Sequence, residues 1–408
     1  MSIMSGVMMR KFFQILVMGV ALGVLGGLPG TASGAVGFSE SAASFVSRID
    51  LGINIGNIFD TPSGNELEWG AQRVTRSLIR LYKTKGINAV RLPVTWTKHF
   101  DVDDPTHRIR PAFLDRIQDV IDICLDEDMV VLVNLHHDGG SEGWPKEWLT
   151  IDGRNEDRAD RVLADLWRQI AVRFRDYDAR LVFESFNEIR KAKSHPGEDG
   201  QQAGKDDWSG KPLYCRTVNR YAKTFYDTVR ATGGNNAKRY LLIPTYAATD
   251  WEPTCREWIH PNPKDDHVMV SIHAYEPGWF CLWSERTNYD RADFQRRFDE
   301  VFPMLKNVFA DAGVPVVIGE VMACERFVGG DKACPNIADR VNWAKHYGFE
   351  AGRYGFPCFL WDPSGAHYMG LVDRSELTWT HPEIIDGFRR GLKAGRKAGR
   401  IQVASANR

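Results

Sequence analysis

The chain has 408 residues, a formal net charge of −1, 43% hydrophobic and 26% charged residues, so it holds ample material for a large core. A net charge so close to zero gives no sign of a nucleic-acid partner, and no overall field strong enough to steer a charged substrate. A neutral substrate fits better, and length alone admits one large barrel or two to three smaller domains.

At the N-terminus, Arg10 and Lys11 precede an apolar run over 12–28 and a small-residue segment over 30–35. This reads as an export signal cleaved after Ala35, which places the mature protein in the periplasm or outside the cell. The competing reading, an uncleaved anchor, is disfavoured because the run is near the short limit for a bilayer and holds several glycines; no stable membrane partner is expected. Seven cysteines would then meet an oxidising compartment. Cys124 and Cys358 lie in helical and strand patterns and read as buried thiols. Cys215, Cys255, Cys281, Cys324 and Cys334 are available for one or two disulfides of unassigned pairing.

Strand patterns at 51–56, 87–93, 129–135, 181–188, 239–245, 267–273, 314–319 and 356–361 alternate with helical patterns at about 71–85, 111–126, 157–174, 212–231, 290–312, 337–353 and 382–397. Only the fifth strand is followed by a weak helical signal, broken by Pro253, Pro261 and Pro263. Eight such units predict a single-domain α/β protein, a (β/α)8 TIM barrel over 36–400 with a C-terminal tail at 401–408. An open doubly wound sheet would want a glycine-rich phosphate turn after the first strand, and 52–56 lacks that fingerprint. The basic residues from Arg389 to Arg400 read as a solvated helix end and frayed terminus rather than a binding patch.

The last polar residue of each strand would gather on one barrel face: Arg91, His136, Asn187 with Glu188, His273 with Tyr275, Glu320 and Trp361. Glu184, deeper on the same strand as Glu188, reads as a paired buried carboxylate. Two carboxyl groups at strand ends four and seven point to glycoside hydrolysis, which needs one protonated acid and one ionised carboxylate, ~5 Å apart in the retaining form. Arg91 is placed to keep Glu320 ionised, Tyr275 to hydrogen-bond it, and Asn187 to bind a sugar 2-hydroxyl. Trp361 offers a sugar ring an apolar face, with Trp144, Trp279, Phe280 and Trp283 nearby in the chain.

Seven motifs carry a resemblance. They are Gly52-Ile53-Asn54-Ile55-Gly56-Asn57, Val90-Arg91-Leu92-Pro93, Asn134-Leu135-His136-His137-Asp138, Phe183-Glu184-Ser185-Phe186-Asn187-Glu188, Ser271-Ile272-His273-Ala274-Tyr275, Ile318-Gly319-Glu320 and Phe359-Leu360-Trp361-Asp362. In this order over about 50–390, the chain resembles the family 5 glycoside hydrolases, and its third, sixth and eighth strand motifs are similar to subfamily 4. The resemblance implies a retaining endo-β-1,4-glucanase acting on β-glucans, with Glu188 as acid/base and Glu320 as nucleophile, and with Asn57, His136 and His137 among the substrate-binding residues. Two departures stand out: Ile189 follows the Asn-Glu pair where the family has Pro or Val, and 321–324 lacks the family's small, Gly-rich form.

A metal-dependent hydrolase using His136, His137, Asp138, His273 and Glu320 is a rival, as is a non-catalytic sugar-binding barrel. Within the glycosidase reading the alternative is a hemicellulase: xyloglucanase, lichenase or β-mannanase. No cofactor and no metal are implied, and the chain is expected to act as a monomer on its polysaccharide.

Overall fold

The computed structural model describes residues 36–139, 148–192, 210–282, 286–323, 336–364 and 369–406. The proposed signal segment, Trp144, Trp283, Cys324 and Cys334 lie outside these residues.

Eight parallel strands close a barrel in the order β1 to β8. They are β1 (Gly52–Ile55), β2 (Ala89–Leu92), β3 (Val130–Asn134), β4 (Leu181–Glu184), β5 (Leu241–Pro244), β6 (Val268–His273), β7 (Val316–Val321) and β8 (Cys358–Asp362). A two-stranded ribbon, β9 (Val372–Asp373) with β10 (Thr378–Trp379), follows the last barrel strand. The outer helices are α2 (Arg76–Thr84), α3 (Pro111–Asp126), α4 (Glu156–Arg173), α5 (Pro212–Ala231), α8 (Arg291–Val308), α9 (Ile337–Tyr354) and α10 (Pro382–Ala406), with short α1 (Ala42–Val46), α6 (Glu252–Arg256) and α7 (Gly278–Cys281). The single barrel predicted from the strand periodicity is therefore present, and the weak signal after the fifth strand becomes only the five-residue α6, with Pro253 in its first turn.

Side chains alternate along each strand, and the inward set changes character from bottom to top. Ala89, Leu132, Val182, Leu242, Met269, Val317 and Phe359 form a buried apolar layer, which α1 closes from below with Ala42, Phe45 and Val46. Phe45 stacks on Tyr240 with ring centroids 4.1 Å apart. One layer higher, the inward positions of five of the strands are polar: Asn54, Arg91, Asn134, Glu184 and Ser271, all fully buried. The bottom of the barrel is thus a hydrophobic plug and the top a polar floor.

Two strand-end details differ from a regular alternation. β4 ends at Glu184, four residues before Glu188, so the Asn187-Glu188 pair sits in the loop beyond the ladder. In β7 the register slips: Ile272 pairs with Ile318, but His273 pairs with Glu320, leaving Gly319 as an extra residue. Without that bulge the inward parity of Val317 would carry to Gly319 and Val321 and turn Glu320 outward.

The closing helix runs to Ala406, so the segment predicted as a frayed end is helical nearly to its last residue. It lies against α9 through glycines at four-residue steps, Gly387, Gly391, Gly395 and Gly399. A Cβ at Gly391 would sit 2.1 Å from the Lys345 carbonyl oxygen, and one at Gly395 1.9 Å from that of Phe349. The two backbones approach closer than any side chain allows. Cys215 and Cys255, read as disulfide candidates, are instead buried thiols donating to the carbonyls of Gly210 and Thr249, and the Cys281 thiol donates to that of Glu276. Replacing Gly395 with Val is expected to force α9 and α10 apart and cost about 1–3 kcal/mol, to be read as a lower denaturation midpoint.

Candidate active site

Arg91 on β2 is the centre of the polar floor. Its Nε donates to Glu184 at 2.6 Å, one terminal nitrogen donates to Asn54 at 2.9 Å and to Glu320 at 2.7 Å, and the other to Asn187 at 2.8 Å. The guanidinium is fully buried, which works to lower its pKa, but Glu184 and Glu320 more than offset this and the group stays cationic. Glu184 accepts further bonds from Asn134 and Ser271, which makes it the paired buried carboxylate expected from its depth.

Glu188 and Glu320 come together above this floor. With His273 they form a cluster in which one oxygen of each carboxylate and one imidazole nitrogen lie within 4.8 Å of one another. His273 Nδ1 is 2.6 Å from Glu188 and 3.7 Å from Glu320. Glu320 is held from two other sides, by Arg91 and by the Tyr275 hydroxyl, which donates to it at 2.8 Å. The two carboxyls differ in openness: the Glu188 side chain is 22% exposed and that of Glu320 6%. Gly319 is required beneath them, because a Cβ there would lie 2.6 Å from Ser271 Oγ and 3.2 Å from His273 Nε2.

Burial raises the pKa of both carboxyls, with different outcomes. At Glu320 it prevails over the charges of His273 and Arg91, aided by repulsion from Glu188, and the pKa lies above the ordinary value. At Glu188 the hydrogen bond and charge of His273, with Arg190 and His137, outweigh burial and the pKa lies below it. Carboxyls this close titrate as a pair, with one shared proton at intermediate pH. Burial also disfavours the charged forms of His136 and His137: it lowers His136 well below its usual range and brings His137 down to about 4.

Trp361 forms one wall. Its ring stacks on His136, centroids 5.8 Å apart and nearly parallel, and lies against Gly56, where a Cβ would meet it at 2.8 Å. Asn57 takes a left-handed φ of 58° and donates its backbone N–H to Asp60. Trp279 packs edge-on against Phe294 at 4.8 Å and carries Arg286 over its ring, while Phe280 is core rather than cleft. Ile189 is buried and its carbonyl accepts from Ala247, so the apolar side chain serves as core beside the Asn-Glu turn.

The geometry divides the ligand set of the metal reading. Asp138 does not join His273 and Glu320; it is buried and accepts from Trp96 N–H, Thr97 Oγ and Trp148 Nε1. Asp60 lies with His136 and His137 instead, but its oxygens already accept from the backbone of Asn57 and Ile58. Sequence reasoning did not single out Asn54, Asn134, Ser271 and Asp60. The signal for the first three was a polar residue at an inward position of an otherwise apolar strand.

A closed eight-stranded barrel with two close carboxylates, an arginine floor and a tryptophan wall at the strand C-termini defines a barrel glycoside hydrolase. The profile of the cellulase family, glycosyl hydrolase family 5, matches residues 54–367, and the chain belongs to that family. Endoglucanase A of Ruminococcus albus is 33% identical over 85% of this chain and 92% of its own length. The cellulase/esterase CelE of Acetivibrio thermocellus is 36% identical over 86% of this chain, which spans only 40% of that longer protein. Among solved structures, a broad-specificity endoglucanase of family 5 subfamily 4 from Ruminococcus champanellensis, with bound cellotriose, superposes with a TM-score of 0.74 at 31% identity, covering 86% of this chain and 98% of that one. A xyloglucan-specific family 5 endo-β-1,4-glucanase from a metagenomic library, also in complex with cellotriose, has a TM-score of 0.74 at 30% identity, covering 85% and 98%.

Arg91→Met would leave Glu184 and Glu320 buried without their cation. The expected loss is about 3–5 kcal/mol of stability, measured by chemical denaturation; an unchanged midpoint would show that the floor does not depend on this charge.

Proposed function

We propose that the protein is a retaining endo-β-1,4-glucanase that cuts internal bonds of β-glucans, with Glu188 as acid/base and Glu320 as nucleophile. The observation that carries the reading is the spacing of the two carboxylates: oxygens within 4.8 Å leave no room for a water between them and the sugar, as an inverting enzyme would need. The roles follow from surroundings. Glu320, held by Arg91 and Tyr275, has its oxygens oriented for attack on the anomeric carbon. Glu188, the more open of the two, is placed to reach the glycosidic oxygen of the leaving chain.

The chemistry then runs in two displacements. Glu188 gives its proton to the departing oxygen as Glu320 forms the glycosyl-enzyme bond; Glu188 then takes a proton from water, which attacks the same carbon and frees Glu320. Asn187, whose Oδ1 is taken by Arg91, is left to donate through Nδ2 to the sugar 2-hydroxyl. The first step needs the proton of the pair on Glu188. A bound glucan chain covers Glu188, strips water from it and raises its pKa, which favours the proton where the reaction requires it.

β-Glucan polymers do not cross a cell membrane, so this reading includes export, in keeping with the basic-then-apolar pattern of 1–35. The runner-up is a hemicellulase of the same mechanism, since related family 5 structures include a xyloglucan-specific enzyme.

Reducing-sugar release from carboxymethyl-cellulose, mixed-linkage glucan, xyloglucan and mannan tests the substrate, with Glu188→Gln and Glu320→Gln beside the wild type. Activity on the glucans, lost by about 10³-fold or more in both variants, is expected. Activity on mannan alone would overturn the substrate and keep the mechanism. Substantial activity in either variant would overturn the carboxylate pair.

The pH profile offers a separate check. His273→Ala removes the bond that lowers Glu188 and a charge that lowers Glu320, so both pKa values rise. Both limbs of kcat/KM should therefore move to higher pH, and an unmoved profile would remove His273 from the proton balance.

A further inference from the structure

A second surface lies at the opposite end of the strands from the carboxylates. A groove of about 880 Å³ runs between the start of β1, at Asp50 and Leu51, and one face of α10. Six cations of that helix line it: Arg389, Arg390, Lys393, Arg396, Lys397 and Arg400. The two carboxylates in the groove are engaged, Asp50 by Arg396 at 2.6 Å and Asp386 by Lys85 at 2.8 Å. Arg389, Arg390, Lys393, Lys397 and Arg400 are exposed and enter no ion pair among the described residues. In a chain of net charge −1 this is a local concentration of unneutralised charge. Arg389, Lys393 and Lys397 follow at four-residue steps, which places their Cα atoms about 6 Å apart in a row along the helix.

We propose that this groove binds an acidic polysaccharide, a chain of uronate sugars, and so holds the enzyme to a polymer matrix with its cleft facing away. Charge complementarity sets the sign of the partner, and the shape of the site narrows its class. A concave groove suits a single extended chain, where a lipid surface would want a flat or convex basic face. The lining contains Leu51, Leu392 and Ile401 but no aromatic ring, so it lacks the stacking platform that single-stranded nucleic acid requires. Guanidinium forks match carboxylates in bidentate geometry, and a polyuronate repeats one carboxylate per ring at about the spacing of a helical turn. A polymer tethered here approaches from the barrel's bottom rim and leaves the Glu188 and Glu320 face open to neutral glucan.

The test is affinity electrophoresis and sedimentation of the purified full chain with polygalacturonate. Fully methyl-esterified polygalacturonate, double-stranded DNA and phosphatidylglycerol vesicles serve as comparison probes. The triple variant Arg390→Gln, Lys393→Gln, Lys397→Gln alters only exposed side chains, and its activity on soluble mixed-linkage glucan checks its fold. The single variant Lys397→Glu covers the case in which the triple one fails to fold. Wild-type binding to polygalacturonate that weakens with salt, is absent with the ester, and falls roughly tenfold or more in the variants is expected. No binding to polygalacturonate, equal binding by the variants, or binding to DNA or vesicles as tight as to the polyuronate would each overturn the proposal.

Discussion

The top of this barrel depends on one buried cation. Arg91 reaches from β2 to Asn54 on β1, to Glu184 on β4, to Asn187 beyond it and to Glu320 on β7, so one planar group fixes residues from opposite sides of the ring. A fully buried guanidinium is tolerable only because all its nitrogens are used and two carboxylates balance it. The same bonds that neutralise the charge also aim the polar atoms above it. Glu184 is the silent partner here: it takes Arg91, Asn134 and Ser271 as donors, completes the charge balance and is sealed from the cleft.

The two carboxylates of the site are chemically equal and are made different by what surrounds them. Glu188 faces outward and takes its strongest bond from His273. Glu320 sits lower, between Arg91 and Tyr275, with burial and the neighbouring carboxylate raising its pKa against those donors. A pair balanced this closely responds to small changes in solvation. A sugar that covers one member more than the other is such a change.

The two ends of the barrel separate stability from chemistry. Below lie the apolar layer and the α1 plug, neither of which includes the carboxylates. Above lie polar side chains and loops. α10 packs on α9 with one face, through its glycines, while its other face presents arginines and lysines to solvent. One helix therefore both closes the fold and offers a surface that the cleft does not need.

Much of this was legible in the chain. Hydrophobic periodicity determined eight strand and helix units, and the polar residues closing those strands marked Arg91, Asn187, Glu188, His273, Tyr275, Glu320 and Trp361 as one face, because a parallel barrel puts all strand C-termini together. Depth along one strand was enough to separate Glu184 from Glu188. What sequence could not supply were relations between strands. Alternation alone turns Glu320 away from the barrel axis; only the slipped register around Gly319 turns it inward, and register is a property of paired strands. Linear spacing grouped Phe280 with the cleft aromatics, and packing against Phe294 of α8 made it core. The cations at the end of the chain are exposed on a helix, as their composition implied; that they also line a groove depends on what lies across from them, at Asp50 and Leu51. Periodicity is local and was read directly, whereas register, neighbours and desolvation exist only once the chain has closed on itself.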